Sequence, residues 1–276
     1  MSERVVTDRS FRARSALFLP ASNQRAIAKA RTLPCDVVVL DLEDSVRPED
    51  KERARSAAIS AVAEGFGDRT VAIRINGTGS PWHAADLAAV SASAVDLIVI
   101  PKVENARQIA ACAETGKGLL AMIETPAGVL AAPAIAAATG VCGLILGAND
   151  LAAALRLPSV AGRTGLTMAM QTVVLAARAA GGMAIDSVWN RLDDAEGLER
   201  ECREGRAMGF DGKSLIHPDQ IEPANRAFGP SETEIEEARA ILAAAPAGAE
   251  RFRGRMIEQM HVDAARRLLD LAGPGR

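Results

Sequence analysis

Glu124 and Asp150 are the residues whose type and placement point most directly to chemistry. Each closes an apolar, β-rich run, GLLAMIE and VCGLILGAND, and the two runs follow one another in the chain. If the runs are neighbouring parallel strands, about 4.8 Å apart, both carboxylates reach a common point. One or two carboxylates, completed by water and substrate oxygens, suit Mg²⁺. No thiolate or imidazole cluster accompanies them, which argues against Zn²⁺. The same spacing would also arise from two independent helix caps. Arg74 interrupts the otherwise apolar run VAIRIN. Its planar guanidinium is a fork for a carboxylate or carbonyl oxygen, or else one half of a structural ion pair with Glu43 or Asp44. Lys102, after Pro101, has the chemistry of a Schiff-base lysine, but a metal pair offers another way to stabilise an enolate. His83 and His217 read as structural or substrate-adjacent.

These residues need a scaffold that gathers strand ends. Apolar β-rich runs occur at Ala16–Leu19, Asp36–Leu42, Thr70–Asn76, Val95–Pro101, Gly118–Ile123, Val141–Gly147, Met183–Asp186 and Phe210–Ile216. Each is followed by a helix-compatible, Ala-rich segment, a pattern that predicts parallel strands with helical crossovers. Eight strands close a barrel of the TIM (β/α)8 type, and a chain of 276 residues matches one such α/β barrel. No G-x-G-x-x-G or P-loop sequence favours an open doubly wound sheet. Most of the runs end in residues capable of chemistry: Glu43 and Asp44, Arg74 and Asn76, Lys102, Glu124, Asn149 and Asp150, Asp186, His217. In a barrel the carboxyl ends of all strands share one face, where active sites lie.

Composition narrows the function. A net charge of −3, with no aromatic–basic stripe, gives no reason to expect nucleic acid. The four cysteines form no C-x-x-C pair and read as reduced, buried thiols of a cytoplasmic protein. The polar, Arg-rich segment MSERVVTDRSFRARS lacks the apolar core of a secretory signal. Residues 125–149 are uncharged for more than twenty positions, yet Pro133, Gly140 and Gly143 make them a poor membrane span. A buried helix followed by a buried strand is expected there. The barrel is assigned to residues 14–229 and a C-terminal helical extension to 230–276, placed to cover a neighbouring subunit's site. Ser231 and Glu234 form a capping box opening a helix that runs to about Ala245. A break at Ala244–Gly248 and an amphipathic piece at Val262–Leu271 follow.

The ordered series RSALFLPAS, DVVVLDLEDSV followed by Lys51 and Ala54-Arg55, VAIRINGTG, IPKVENA, AMIETPAGV, LILGANDL and GFDGKSLIHPDQI resembles the citrate lyase β-subunit-like branch of the HpcH/HpaI aldolases. Relatives in that branch include malyl-CoA, citramalyl-CoA and citryl-CoA lyases. The resemblance runs from about Arg14 to Ala245. It implies a TIM barrel, a homo-oligomer (often a trimer), and Mg²⁺ held at Glu124 and Asp150. It implies substrate binding by Arg74 with Glu43 and Asp44 nearby, so that Arg74, Glu43, Asp44 and Lys102 are the expected substrate-binding residues, and carbon–carbon lyase activity on a 3-hydroxyacyl-CoA that yields an acyl-CoA and a 2-oxo acid. A carrier-dependent citrate lyase subunit, a non-catalytic barrel that keeps the metal site and a CoA-independent aldolase are the alternatives. Two positions depart from the family pattern. Asn149 stands where an acid often precedes the metal aspartate. The tail segment Gly254-Arg255-Met256-Ile257-Glu258 carries Glu258 where an aspartate often serves a neighbouring subunit as acid or base, so Glu258 is the second catalytic candidate.

Overall fold

The computed structural model describes residues 13–158, 162–244 and 250–273. Eight strands, β1 (Ser15–Pro20), β2 (Val37–Asp41), β3 (Thr70–Arg74), β4 (Leu97–Ile100), β5 (Gly118–Ile123), β6 (Val141–Leu146), β7 (Met183–Asp186) and β8 (Gly212–Leu215), close a barrel in sequence order. All pairings are parallel, and β8 returns to β1 through Ser15 opposite Lys213. Around it run α1 (Gln24–Ala30), α2 (Lys51–Glu64), α3 (His83–Ser91), α4 (Ala110–Ala113), α5 (Pro126–Ala136), α6 (Ala148–Ala154), α7 (Thr167–Ala179), α8 (Ala195–Met208) and α9 (Ile221–Phe228). All eight strand runs expected from the sequence are present, trimmed by a residue or more at several ends where the chain turns into a loop.

Strand alternation divides the core in two. Val37, Val39, Ala72, Leu97, Val99, Leu120, Met122, Ile145 and Ile185 form one cluster that fills the barrel. Val38, Leu40, Ile73, Ile98, Ile100, Leu119, Ala121 and Leu144 belong to a second, which packs the strands against the helices. This two-sided burial explains the nearly continuous apolar runs. Helix starts follow local chemistry. Thr125 accepts from the Gly128 N–H at 3.0 Å and Pro126 occupies the first turn of α5. Asp194 caps α8, which ends on Gly209 at φ 100°.

The expected buried helix after Thr125 needs correction. In α5, Gly128, Val129, Ala132, Ile135 and Ala136 are buried, but Leu130 is 80% exposed. A helix in the outer ring covers the strands with one face only, and its lack of charge reflects proline, alanine and Leu130 on the other. The strand that follows, β6, is buried throughout.

Beyond the barrel, α10 (Glu232–Ala244) begins with the expected capping box: Ser231 donates to Glu234 Oε2 through its N–H and its hydroxyl, both at 2.8 Å. The chain then forms an antiparallel hairpin, β9 (Glu250–Phe252) and β10 (Arg255–Ile257), and α11 (Gln259–Ala272). Arg253 and Gly254 both adopt positive φ, 47° and 84°, as a tight hairpin turn of this hand requires. Ala238, Ile241, Val262 and Ala265 form a small core between α10 and α11. The polar N-terminal residues 1–12 and most of the Ala/Pro/Gly break, residues 245–248, lie outside the described residues. Among the described residues, no helix is long and apolar enough to cross a membrane.

Candidate active site at the barrel mouth

At the carboxyl ends of the strands a cavity of about 400 Å³ opens, lined among others by Phe18, Asp41, Asp44, Arg74, Met122, Glu124, Asp150 and Asn190. Its floor is an ion pair. Arg74 donates from Nε to Asp41 Oδ1 at 2.6 Å and from Nη2 to Asp41 Oδ2 at 2.7 Å, a bidentate fork. Its Cζ lies 5.3 Å from the centre of the Phe18 ring. Nη1 is 3.1 Å from Glu43 Oε2, but without the alignment of a hydrogen bond, and 3.8 Å from Met122 Sδ. The ion-pair partner expected at Glu43 or Asp44 is therefore chiefly Asp41, with Glu43 beside it.

Asp41 is the residue that motif reasoning missed. Burial opposes its charge. The hydrogen bonds and charge of Arg74, the Ser45 hydroxyl and the Glu43 N–H at 2.9 Å outweigh that and hold its carboxyl below the ordinary range. The signal was available in the alternation of VVVLDLE: Asp41 and Glu43 share the phase of Val37 and Val39, which face the barrel axis. Glu43 is raised above the usual carboxylate range by burial, against the pull of Arg74 and Lys102.

Behind this floor a buried lysine fixes the strand ends. Lys51 Nζ donates to the Leu42 carbonyl at 2.7 Å, the Glu43 carbonyl at 2.8 Å and Asn76 Oδ1 at 2.6 Å. Asn76 in turn donates to Asp86, which is held by Arg55 at 2.7 Å. Asn76 is thus turned to the scaffold rather than to the cavity. His83 Nδ1 lies 2.8 Å from the Asn76 carbonyl, and His217 caps the turn after β8, so both histidines are structural.

Glu124 and Asp150 open on the same cavity from β5 and from the first turn of α6, after β6. Glu124 Oε1 accepts the Lys102 N–H at 2.7 Å. Its other oxygen lies against Gly147, where an added Cβ would stand 2.5 Å from Oε2 and 2.4 Å from the Glu124 Cβ. Burial pushes the Glu124 carboxyl up to about 7; the Lys102 N–H works against this, and Glu43 and Asp150 add to it. A carboxyl so placed, beside a second one, is the donor set a hard divalent cation would stabilise. Among the described residues no group of three or more His, Cys, Asp or Glu side chains is arranged around a metal position. The pair therefore fits a cation that takes its remaining oxygens from water and substrate, and not a closed zinc site.

The other expected site residues divide. Asp44 lines the cavity; Glu43 and Lys102 stand behind it. Lys102 Nζ contacts Glu43, lies 3.1 Å from Asp44 Oδ2 and 3.8 Å from Asp150 Oδ2. Burial disfavours its charge, but Glu43 and Asp44 raise it further above the ordinary lysine range, which leaves no neutral amine for a Schiff base. Asn149 pairs with Asn190, its amide accepting at 2.8 Å and donating at 3.3 Å. Asp186 faces away from the cavity, to Arg163 at 2.7 Å and Lys213 at 3.2 Å. Glu258 is exposed on the extension, where it precedes α11 and its N–H donates to His261 Nδ1 at 3.0 Å. It does not line this cavity within the same chain.

Comparison with known proteins agrees with this geometry. The profile of the HpcH/HpaI aldolase/citrate lyase family matches residues 14–218. A (3S)-malyl-CoA thioesterase of Cereibacter sphaeroides is 39% identical over 265 residues, 93% of each chain. A citrate lyase subunit beta-like protein of Mycobacterium tuberculosis is 37% identical over 264 residues, 93% of this chain and 94% of the relative. The crystal structure of CitE from M. tuberculosis in complex with magnesium, acetoacetate and coenzyme A superposes with a TM-score of 0.82 at 35% identity, covering 96% of this chain and 99% of that one. A closed eight-stranded barrel, an acidic mouth around one arginine and a match across nearly the whole length lead to one conclusion: the chain belongs to the HpcH/HpaI aldolase/citrate lyase family.

Proposed function

We propose that this protein is a Mg²⁺-dependent carbon–carbon lyase acting on a 3-hydroxyacyl-CoA thioester of the malyl-CoA type. The observation that carries the reading is the convergence of Glu124 and Asp150 on a cavity whose floor is Arg74. Support for the cation and for a coenzyme A moiety comes from the related CitE, crystallised with magnesium, acetoacetate and coenzyme A. Glu124 and Asp150 would hold the Mg²⁺, which supplies positive charge to the oxygens of substrate and developing enolate. Arg74, immobilised by Asp41, presents its remaining N–H groups to a substrate carboxylate without having to reorganise. Phe18 and Met122 close the apolar side of the cavity and exclude water from the reacting carbons.

Cleavage requires a base for the 3-hydroxyl proton. As that proton leaves, the bond between the hydroxyl carbon and the thioester α-carbon breaks. Its electron pair passes to the thioester as an enolate, which takes a proton to become the acyl-CoA; the former carbinol becomes the 2-oxo acid. Glu258 of a neighbouring copy is assigned as that base, in a homotrimer or larger homo-oligomer whose C-terminal extension caps the next barrel. Mixing Arg74→Ala with Glu258→Ala subunits tests it. Activity returns if one protomer's barrel works with another's tail. A fully active Glu258→Ala protein, or no recovery on mixing, removes the assignment.

A second reading rests on the name of the C. sphaeroides relative, a thioesterase. Hydrolysis would release free CoA and the hydroxy acid from the same bound thioester. Incubation of the purified protein with malyl-CoA and Mg²⁺ separates the two: the lyase produces glyoxylate and acetyl-CoA without free thiol, the thioesterase malate and free thiol. Neither product from malyl-CoA or citramalyl-CoA would count against both readings and leave the carrier-dependent subunit, the non-catalytic barrel and the CoA-independent aldolase.

A further inference from the structure

Lys102 carries two features that a salt-bridging lysine does not need. It is one of three non-glycine residues with positive φ among those described, at 52°. The other two have ordinary reasons: Arg156 follows the end of α6, and Arg253 turns the β9–β10 hairpin. Lys102 follows Pro101 directly after β4, behind the cavity, where no helix end or hairpin calls for that conformation. A left-handed backbone is disfavoured for any residue with a Cβ and persists where the surroundings fix it. The second feature is reach. Through its main chain Lys102 touches Glu124, at 2.7 Å. Through its ammonium it touches Glu43 and Asp44, and stands 3.8 Å from Asp150. Of the mouth carboxylates, only Asp41 has no contact with Lys102, and Asp41 is committed to Arg74.

The number of available carboxylates decides which cation such a mouth prefers. Mg²⁺ is satisfied by two, with water and substrate filling a strict octahedron, whereas Ca²⁺ takes 6–8 oxygens in looser geometry. Were Glu43 and Asp44 free to swing, the mouth would offer four.

Resting on the assignment of Glu124 and Asp150 as the cation's ligands, we propose that Lys102 is a positioning residue that sets how many carboxylates the cation meets. Its left-handed N–H aims Glu124 at the cation position, and its ammonium withholds Glu43 and Asp44. The two functions are separable by substitution. Lys102→Gly and Lys102→Val both delete the ammonium, but only glycine adopts the required φ without strain. Lys102→Met keeps the length of the side chain and removes its charge.

Calorimetric titration of each variant with Mg²⁺ and, separately, Ca²⁺ tests this, with thermal melting to establish that each is folded. The Val variant should bind Mg²⁺ about tenfold more weakly than the Gly variant. The Met variant should shift the Ca²⁺-to-Mg²⁺ affinity ratio about fivefold towards Ca²⁺ relative to the unsubstituted protein. If the Val variant does not fold, Lys102→Ala against Lys102→Asn makes the same comparison, because asparagine tolerates the left-handed region. Equal Mg²⁺ affinities within the pair overturn the aiming role, and an unchanged ratio in the Met variant overturns the withholding role. Unchanged Mg²⁺ binding in Glu124→Ala overturns the underlying assignment of the cation site itself. Loss of binding there, with equal affinities in the Gly and Val variants, overturns only the aiming by Lys102.

Discussion

The carboxylates at the barrel mouth and the charged cluster around Lys213 are built from the same residue types, yet they are resolved in opposite ways. Around Lys213, the ammonium lies 2.6 Å from Glu201 and 3.2 Å from Asp186, and Arg163 completes Asp186 at 2.7 Å. Lys213 and Asp186 are fully buried, and two cations answer Asp186 and Glu201, with the half-exposed Glu204 3.8 Å from Arg163 at the margin. At the mouth, Arg74 and Lys102 answer Asp41, Glu43 and Asp44, while Glu124 is left with a main-chain N–H and an elevated pKa. Strand phase separates the two fates. Lys213 and Asp186 point outward between barrel and α8, where charge has to be matched in place. Asp41 and Glu124 point to the axis, where a cavity leaves room for a charge supplied from outside. Uncompensated acid, more than the mere presence of acid, distinguishes the proposed site of this barrel from its scaffold.

Substitutions can break that contrast. Lys213→Met should cost about 3–5 kcal/mol of stability, because Asp186 and Glu201 stay buried with one cation fewer; urea denaturation measures it, and a loss below 1 kcal/mol would show that the outer cluster is not a closed unit. Glu124→Gln, equally inaccessible, should change stability by less than about 1 kcal/mol at pH 8 because it removes a charge that burial disfavours. Arg74→Lys should lower kcat/KM by about 10²-fold in a folded protein, since an ammonium cannot hold both Asp41 oxygens and face the substrate as a plane. Near-normal kcat/KM in steady-state assays would reduce Arg74 to a strut.

The smallest effect is in pH. With the folded Glu124 carboxyl raised from 4.5 to about 7, the folded state holds a proton that the unfolded state has lost. Its stabilising contribution is complete below the ordinary carboxylate range and disappears as pH rises through about 7. The metal-free protein should therefore lose melting temperature relative to Glu124→Gln between pH 5 and about 8. Mg²⁺ binding below neutrality should release a fraction of a proton, read from titrations in buffers of different ionisation enthalpy. Parallel melting curves and no proton release would show that Glu124 is already ionised.

Most of the scaffold was legible because a doubly covered strand has to be apolar on both faces, and eight such runs stand out between alanine-rich helices. Glu124 and Asp150 were legible for the complementary reason, as acids that end apolar runs. Strand-end position alone misread Asp186 and Asn76, which face the scaffold. Asp41 was hidden inside its run; alternation, rather than position, carries the information there. Lys51 was marked by the family resemblance but its role was not legible, because a lysine in the first turn of a polar helix looks solvated, and only the fold brings the carbonyls of residues 42 and 43 to it. The hairpin before Glu258 was missed because its strands are three residues each, too short to display alternation.

Gly147 shows how the mouth constrains its own history. A Cβ at this position would meet the Glu124 Cβ at 2.4 Å, and every residue except glycine carries that carbon on both sides of the contact. Shortening Glu124 to aspartate gives no relief, since the collision precedes the point where the two side chains differ. Directed evolution of a new specificity could therefore vary lining residues such as Asn149 and Asn190, whose side chains have room to change, but would find position 147 closed. A residue without any functional group would be as immobile in such a library as the acid it accommodates.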